Sequence, residues 1–248
     1  MSALISSLAR AVPALAGAAP TLTVEHGSQV LDASFTSRPL VMMALLAGLS
    51  LLPFAILMLT SFSKIAVVLS IARSAMGTQQ IPPSTVLTGL AVILSVHVMA
   101  PVFQDMWDEG RVAFSSAASV EQMLGASQRA AQPLRAFVLK HGRPEDRLLF
   151  LDLARQLRGE ARAAEVDEAD LVVAVPAFLI SELKEAFQIG FLVFLPFLVL
   201  DMVIANLLLA LGMQSLSPSS VSLPFKLLLF VVVDGWHLLT QGLVLGYR

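Results

Sequence analysis

The chain has 248 residues, 56% of them hydrophobic and 14% charged, with a net charge of −2 and no cysteine. Soluble domains carry about 25% charged residues, and a domain of this size has too much surface to hide so much apolar side chain within itself. The surplus must face lipid or other subunits. The charge balance argues against a nucleic-acid binder, which needs a clustered basic patch. The missing cysteines exclude disulfides, thiolate chemistry and cysteine metal sites.

Residues 1–38 read either as an N-terminal tail or as a signal peptide, with Arg10 before the Ala-rich stretch Ala11 to Ala19 and Pro13 interrupting it. A signal peptide calls for a basic start, an apolar core and a small-residue cleavage site. Pro39 to Phe62 contains no charge and exceeds the roughly 20 apolar residues that cross a bilayer. Lys64 and Arg73 follow, and the turn Gly77 to Pro83 punctuates the chain. A second apolar segment runs from Thr85 to Phe103, so residues 39–103 form a first helical hairpin. Residues 104–170 hold well over half of the charges and predict a small helical subdomain facing water. Within it, Glu145 to Arg162 reads as an amphipathic helix with Leu148, Leu151, Leu153 and Leu157 among charged residues. Residues 171–248 predict a second hairpin: a semi-apolar helix Leu171 to Ile180, an apolar segment Ala186 to Leu211 ended by Gly212, and an apolar segment Leu223 to Leu245. The fold class is therefore an all-α membrane protein, two helical hairpins with about four apolar segments around a charged helical subdomain.

Basic residues in short loops stay cytoplasmic. Lys64 and Arg73 thus put the first hairpin tip inside, and the 104–170 region with both termini outside. The two tips also echo each other. Gly77-x-Gln79-x-Ile81-x-Pro83-Ser84-Thr85-Val86 matches Gly212-x-Gln214-x-Leu216-x-Pro218-Ser219-Ser220-Val221 at constant offset. Parallel repeats occur in membrane transport proteins, and turn residues also form a small alphabet that repeats by chance. The echo carries meaning only if both tips lie at the same end.

Four charges lie in or beside the second apolar half: Glu182, Asp201, Lys226 and Asp234. Such residues usually face a bundle interior and pair with one another. Glu182 and Lys226 are the expected structural ion pair, between helices or between subunits. Asp201 and Asp234 are intramembrane acids that either relay protons or hydrogen-bond within a packed assembly. His97 and His237 are expected as hydrogen-bonded core residues. No histidine has metal-ligand spacing, and no nucleophile elbow, phosphate loop or zinc-protease motif occurs. The chain therefore reads as no enzyme, with no catalytic residue, cofactor or metal. Met213 stands apart from the other methionines because it lies in Gly212 to Ser222, a loop without charge. Such loops from several subunits, converging on an axis, would close a pore, as hydrophobic constrictions do.

Two long motifs carry a resemblance. Pro176-Ala177-Phe178-Leu179-Ile180-Ser181-Glu182-Leu183-Lys184-Glu185-Ala186-Phe187-Gln188-Ile189-Gly190-Phe191 is one, and Pro224-Phe225-Lys226 followed by an apolar run and Asp234-Gly235-Trp236 is the other. With Thr60-Ser61-Phe62 through Gln79-Gln80-Ile81-Pro82-Pro83, they resemble the FliP/SctR family over residues 45 to 248. The signature positions are Pro176, Phe178, Glu182, Phe187, Gly190, Pro224, Lys226, Gly235 and Trp236. The resemblance implies an export gate of type III secretion. That gate is a homo-oligomer, a pentamer in the family, assembled with FliQ/SctS-like and FliR/SctT-like membrane subunits and other export-apparatus proteins. It sits at the bacterial inner membrane, against lipid and partly on the periplasmic side, and passes unfolded secreted substrates. The family's methionine-rich channel-closing loop corresponds to Met213, Gln214, Ser215, Leu216 and Pro218, where Met213 and Leu216 supply a gasket of less bulk. Val98-Met99-Ala100-Pro101-Val102 and the ending from Asp234 to Val244 look like the injectisome branch, with the flagellar gate as the alternative. A rival from another class is a proton- or ion-coupled transporter using Asp201, Asp234 and Glu182.

Overall fold

The computed structural model describes residues 39–78, 80–115, 119–159 and 164–248. The tail or signal-peptide reading of residues 1–38 lies outside them. The chain divides into two compact units, 1–52 and 53–248. Among the described residues the first unit holds only the start of a helix, α1 (Pro39–Met58). Its prolyl N-terminus suits the first helical turn, where an N–H would lack a partner anyway.

Among its described residues the second unit is all helix and connection. It contains α2 (Phe62–Ala75), α3 (Ser84–Ser115), α4 (Val120–Ala130), α5 (Gln132–His141), α6 (Pro144–Arg158), α7 (Leu171–Ala210), α8 (Pro218–Val232) and α9 (Gly235–Leu245). By length and composition α3 and α7 can each cross a membrane, and the bent pair α8–α9 makes a further candidate span. At 1.5 Å per residue the 40 residues of α7 extend about 60 Å, twice the hydrocarbon thickness of a bilayer. One helix therefore serves both regions. Its first half meets the charged helix α6 through Ser181 and Lys184 and the core helix α2 through Glu182 and Gly190, and its second half meets α8 through Phe197 and Asp201.

Several expected boundaries move. The first apolar segment stops at Met58, and a separate helix begins at Phe62. At that break Ser61 Oγ donates to Ser95 Oγ at 3.1 Å, and Ser95 Oγ lies 3.4 Å from Thr60 Oγ1, tying the joint to α3. The second apolar segment does not end at Phe103, because α3 continues to Ser115 through the expected edge of the charged region. Leu171 to Ile180 and Ala186 to Leu211 fuse into α7 despite Pro176 and Pro196. The last segment breaks instead, with a 59° bend between α8 and α9. Asp234 takes the left-handed conformation there, φ 51°. The amphipathic helix is α6, but of its five leucines only Leu151 is buried. Leu153 and Leu157 fall on the far side of a 3.6-residue turn from the Leu151 face.

The core is built on α2. Ile65, Val68, Leu69 and Ala72 are fully buried there, packed with Leu87 and Ala91 of α3, Ala186 and Phe197 of α7, and Phe230 of α8. Lys64 meets Glu182, and Ile71 meets Gly190, so α2 and α7 run parallel. Asp201 meets Lys226, and Phe197 meets Phe230, so α8 returns antiparallel to α7. Both hairpin tips consequently lie at the same end, the condition under which the sequence echo has meaning. Their helix ends match too. α2 ends at Ala75 and α7 at Ala210, followed by Gly77 (φ +76°) and Gly212 (φ +71°). At Gly212 the cap is complete: its N–H donates to Leu209 O and that of Met213 to Leu208 O, the glycine C-terminal motif expected there.

At Gly190 α7 approaches α2 too closely for a side chain. A Cβ at this position would lie 2.5 Å from Ile71 Cδ1 and 2.9 Å from its Cγ2. Gly190→Ala is expected to destabilise the chain by about 1–3 kcal/mol, the cost of overpacking a β-branched neighbour. Ile71→Ala in the same chain should restore part of that loss in a thermal melt. Equal melting of the single and double variants would show that the approach is not tight.

Candidate functional site

The buried charges do not pair as expected. Glu182 and Lys226 form no ion pair with each other, because each has a nearer partner, one brought in by the parallel packing of α2 on α7 and the other by the antiparallel return of α8. Glu182 Oε1 accepts from Lys64 Nζ at 3.1 Å, and Lys226 Nζ donates to Asp201 Oδ2 at 2.6 Å.

The first cluster joins α2, α7, the α5–α6 connection and the C-terminus. Lys64 Nζ also donates to Glu185 Oε2 at 2.9 Å and lies 3.8 Å from the centroid of the Tyr247 ring. The Tyr247 hydroxyl donates to the other oxygen of Glu182. Arg143 reaches Glu185 at 3.5 Å and Gln188 at 3.1 Å. Lys64 and Glu182 are 2% and 0% exposed. Desolvation of a buried pair is costly unless every lone pair is used, and here both oxygens of Glu182 and the face of an aromatic ring complete the shell. The burial of Lys64 also removes it from the basic residues of the first tip, leaving Arg73 alone to argue orientation. Phe137 and His141 pack on Tyr247 at 5.9 and 5.1 Å between ring centroids. Burial, with the charges of Lys64 and Lys140, overrides the pull of Glu185 and holds the His141 pKa down at about 4, so its ring is neutral at neutral pH.

Beside this cluster Asp146 accepts from Ser181 Oγ at 2.8 Å and pairs with Lys184, while the Arg143 N–H donates to Ser181 Oγ. This joint fixes α6 on α7. Burial pushes the Asp146 carboxyl up, but its bonds to Lys184 and Ser181 and the charges of Lys184 and Arg143 win and hold it below its ordinary value of 3.8. A depressed carboxylate adds stability that is fully present above pH 3.8 and drains away as pH falls through the lower folded value. Asp146→Asn is therefore expected to melt lower than the parent at neutral pH and to converge toward it in acid. A constant gap across that window would contradict the assignment.

The second cluster is Asp201, Ser222 and Lys226. Ser222 Oγ donates to Asp201 Oδ1 at 2.6 Å, while Lys226 holds Oδ2. Asp234 is not part of it: it stands just before α9, makes no capping side-chain bond there, and is exposed. The structure thus brings Asp201 to a lysine and a serine, and not to the second acid that a relay would need. Of the signature residues, Phe178 is fully buried and Phe187 is 63% exposed. Pro176 and Pro224 lie inside α7 and α8. A Cβ on Gly235 would meet the Phe230 ring, and Trp236 packs edge-on to that ring at 5.1 Å.

The connection 211–217 follows α7, and Pro218 opens α8. Met213, Gln214, Ser215 and Leu216 are all exposed. His97 and His237 are exposed as well and do not sit in the core. Their helices bury one face only, and the other face is apolar surface with no cover among the described residues. No group of three or more His, Asp or Glu among the described residues is placed to hold a metal ion.

Lys64, Tyr247 and Asp146 were missed as site residues. The available signals were a lone lysine inside an otherwise apolar run and the chain's single tyrosine, next to its last residue.

Known proteins are similar to this chain in sequence over most of its length. The chain is 46% identical over 211 residues to the hypersensitivity response secretion protein HrcR of Ralstonia nicotianae, covering 84% of this chain and 96% of that protein. It is 46% identical over 205 residues to the Yop proteins translocation protein R of Yersinia pestis, covering 82% and 93%. It is 45% identical over 207 residues to the flagellar biosynthetic protein FliP of Pectobacterium carotovorum, covering 83% and 77%. The family model described as FliP matches residues 45–243, a stretch that contains every ion pair of the two clusters, though not Tyr247, and the whole of the exposed, charge-free loop. This chain, a helical membrane protein, belongs to the FliP family.

Proposed function

We propose that the chain is a core subunit of the type III secretion export gate, an oligomeric closed channel that conducts unfolded protein across the bacterial inner membrane. The observation that carries the reading is the α7–α8 tip: a connection without a charge, whose Met213 and Leu216 are each 43% exposed. Apolar side chains held out on a hairpin tip gain by meeting their counterparts from other copies, and a ring of them forms a constriction that dewets and blocks ions. The bare apolar faces of α7 and α8 call for cover in the same way. Further copies of the chain, five in all, and the smaller FliQ/SctS-like and FliR/SctT-like subunits supply it. The conduit is passive and is not an enzyme. The charged helices α4 to α6 lie on the periplasmic side.

The injectisome branch is favoured. The two secretion and translocation relatives are covered over nearly their whole length, 96% and 93%. The flagellar match at 45% identity keeps the flagellar gate as the second reading.

The test is to express the full chain with its candidate sister subunits, extract in mild detergent and take the native mass. A multi-copy ring carrying the smaller subunits is expected. A monomer or simple dimer would favour a self-contained transporter and return Asp201 to the centre of attention. Deleting the gene in its host separates the branches, through loss of secreted effectors or loss of motility.

A further inference from the structure

We propose that Asp201, Ser222 and Lys226, seated on the Gly77 turn, form a clamp that sets the position of the 211–217 loop; the inference rests on the export-gate reading. The loop is held at its two ends and hardly between. At its start the N–H groups of Gly212 and Met213 are spent on Leu209 and Leu208 of α7. At its far end Ser222, fully buried on the first turns of α8, donates to Asp201 Oδ1 at 2.6 Å. One turn on, Lys226 donates to Asp201 Oδ2 at 2.6 Å. Both oxygens of one carboxylate on α7 thus grip α8 at two successive turns. Between the anchors the loop itself has one backbone hydrogen bond, from Leu216 N to Met213 O at 3.3 Å, before Ser220 and Val221 donate to Ser217 O in the first turn of α8.

The first hairpin supplies the other jaw. A Cβ placed on Gly77 would lie 3.4 Å from Leu223 Cδ1 and 3.7 Å from Lys226 Nζ. The ammonium therefore sits against the turn that follows α2, at the negative end of that helix's dipole. Lys226 meets negative charge on two sides, Asp201 from α7 and the end of α2. The lysine registers α8 against both hairpins at once. Gly77 itself is at φ +76°, a conformation that a side chain would strain. The repeat of glycine-capped tips thus places the first tip as the seat of the second.

A clamp that positions the loop predicts leak without loss of the ring. The full complex, carrying Asp201→Asn, is put into liposomes and potassium efflux is measured beside native mass. Ring mass should be unchanged, and resting efflux should rise roughly tenfold, the population shift for one lost charge-assisted hydrogen bond. Ser222→Ala should leak in the same direction by less. A loop variant, Met213→Gly with Leu216→Gly, is run as the control. If the loop variant leaks while Asp201→Asn and Ser222→Ala stay as tight as the parent, the clamp is wrong and the gate reading stands. If the loop variant is also tight, the gate reading fails and the clamp falls with it. If Asp201→Asn loses the ring while Ser222→Ala remains tight, the carboxylate serves assembly alone and the clamp is overturned.

Discussion

Lys64→Met should be the most damaging single substitution in the second unit, costing about 3–5 kcal/mol, the usual penalty for leaving a buried charge without its partner. The two ends of the pair are not equivalent. Without Lys64, Glu182 is fully buried with only the Tyr247 hydroxyl to answer it. Without the Glu182 charge, Lys64 still has Glu185 Oε2 at 2.9 Å and the Tyr247 ring. Glu182→Gln should therefore cost clearly less, because the amide can still accept from the tyrosine. Lys64→Met with Glu182→Gln removes both buried charges and should recover most of the loss of Lys64→Met alone. The measurement is the thermal midpoint of the detergent-extracted full chain. If Lys64→Met and Glu182→Gln shift it equally and the double variant adds the two shifts, the residues are independent packing groups.

Gly235→Ala is the second large effect. Its Cβ would come within 2.3 Å of Phe230 Cε2 and 2.4 Å of Cδ2. Neither atom belongs to a flexible tip: the ring is buried and packs on Phe197 and Trp236. The ring must leave its slot, at a cost of about 1–3 kcal/mol or more. Phe230→Leu in the same chain should return much of it. Trp236 reports the event directly. Its fluorescence, read in a Trp107→Phe background that removes the chain's other tryptophan, should change in Gly235→Ala and move back toward the parent's in the double variant. An unchanged emission in Gly235→Ala would mean that the bend accommodates a methyl group without disturbing the ring.

Much of the architecture was legible locally. The glycines at 77 and 212 and the prolines at 83 and 218 marked both tips, because turn chemistry is a property of a few neighbouring residues. The loop 212–222 showed its character by holding no charge. The helix joints were not legible. Val231-Val232-Val233 reads as unbroken apolar helix, yet Asp234 turns the chain; α1 stops at Met58 and α2 starts at Phe62, with Ser61 between them held by a hydroxyl on α3. Where every position is apolar, periodicity carries little information about where a helix stops.

By itself the sequence determined the all-α class, the apolar excess that demands outside cover, the two hairpin tips and the motifs of the FliP family, all of which reside in composition or short-range order. Only the tertiary structure decided which charges meet. Glu182 was matched to Lys226 as an obvious opposite in the same half of the chain. Its partner is Lys64, separated from it by 118 residues, because α2 inserts parallel to α7 at the centre of the core. Charge has no period along a chain, and pairing follows from which helix faces are pressed together. That is settled by close approaches such as Gly190 against Ile71, which no local pattern records.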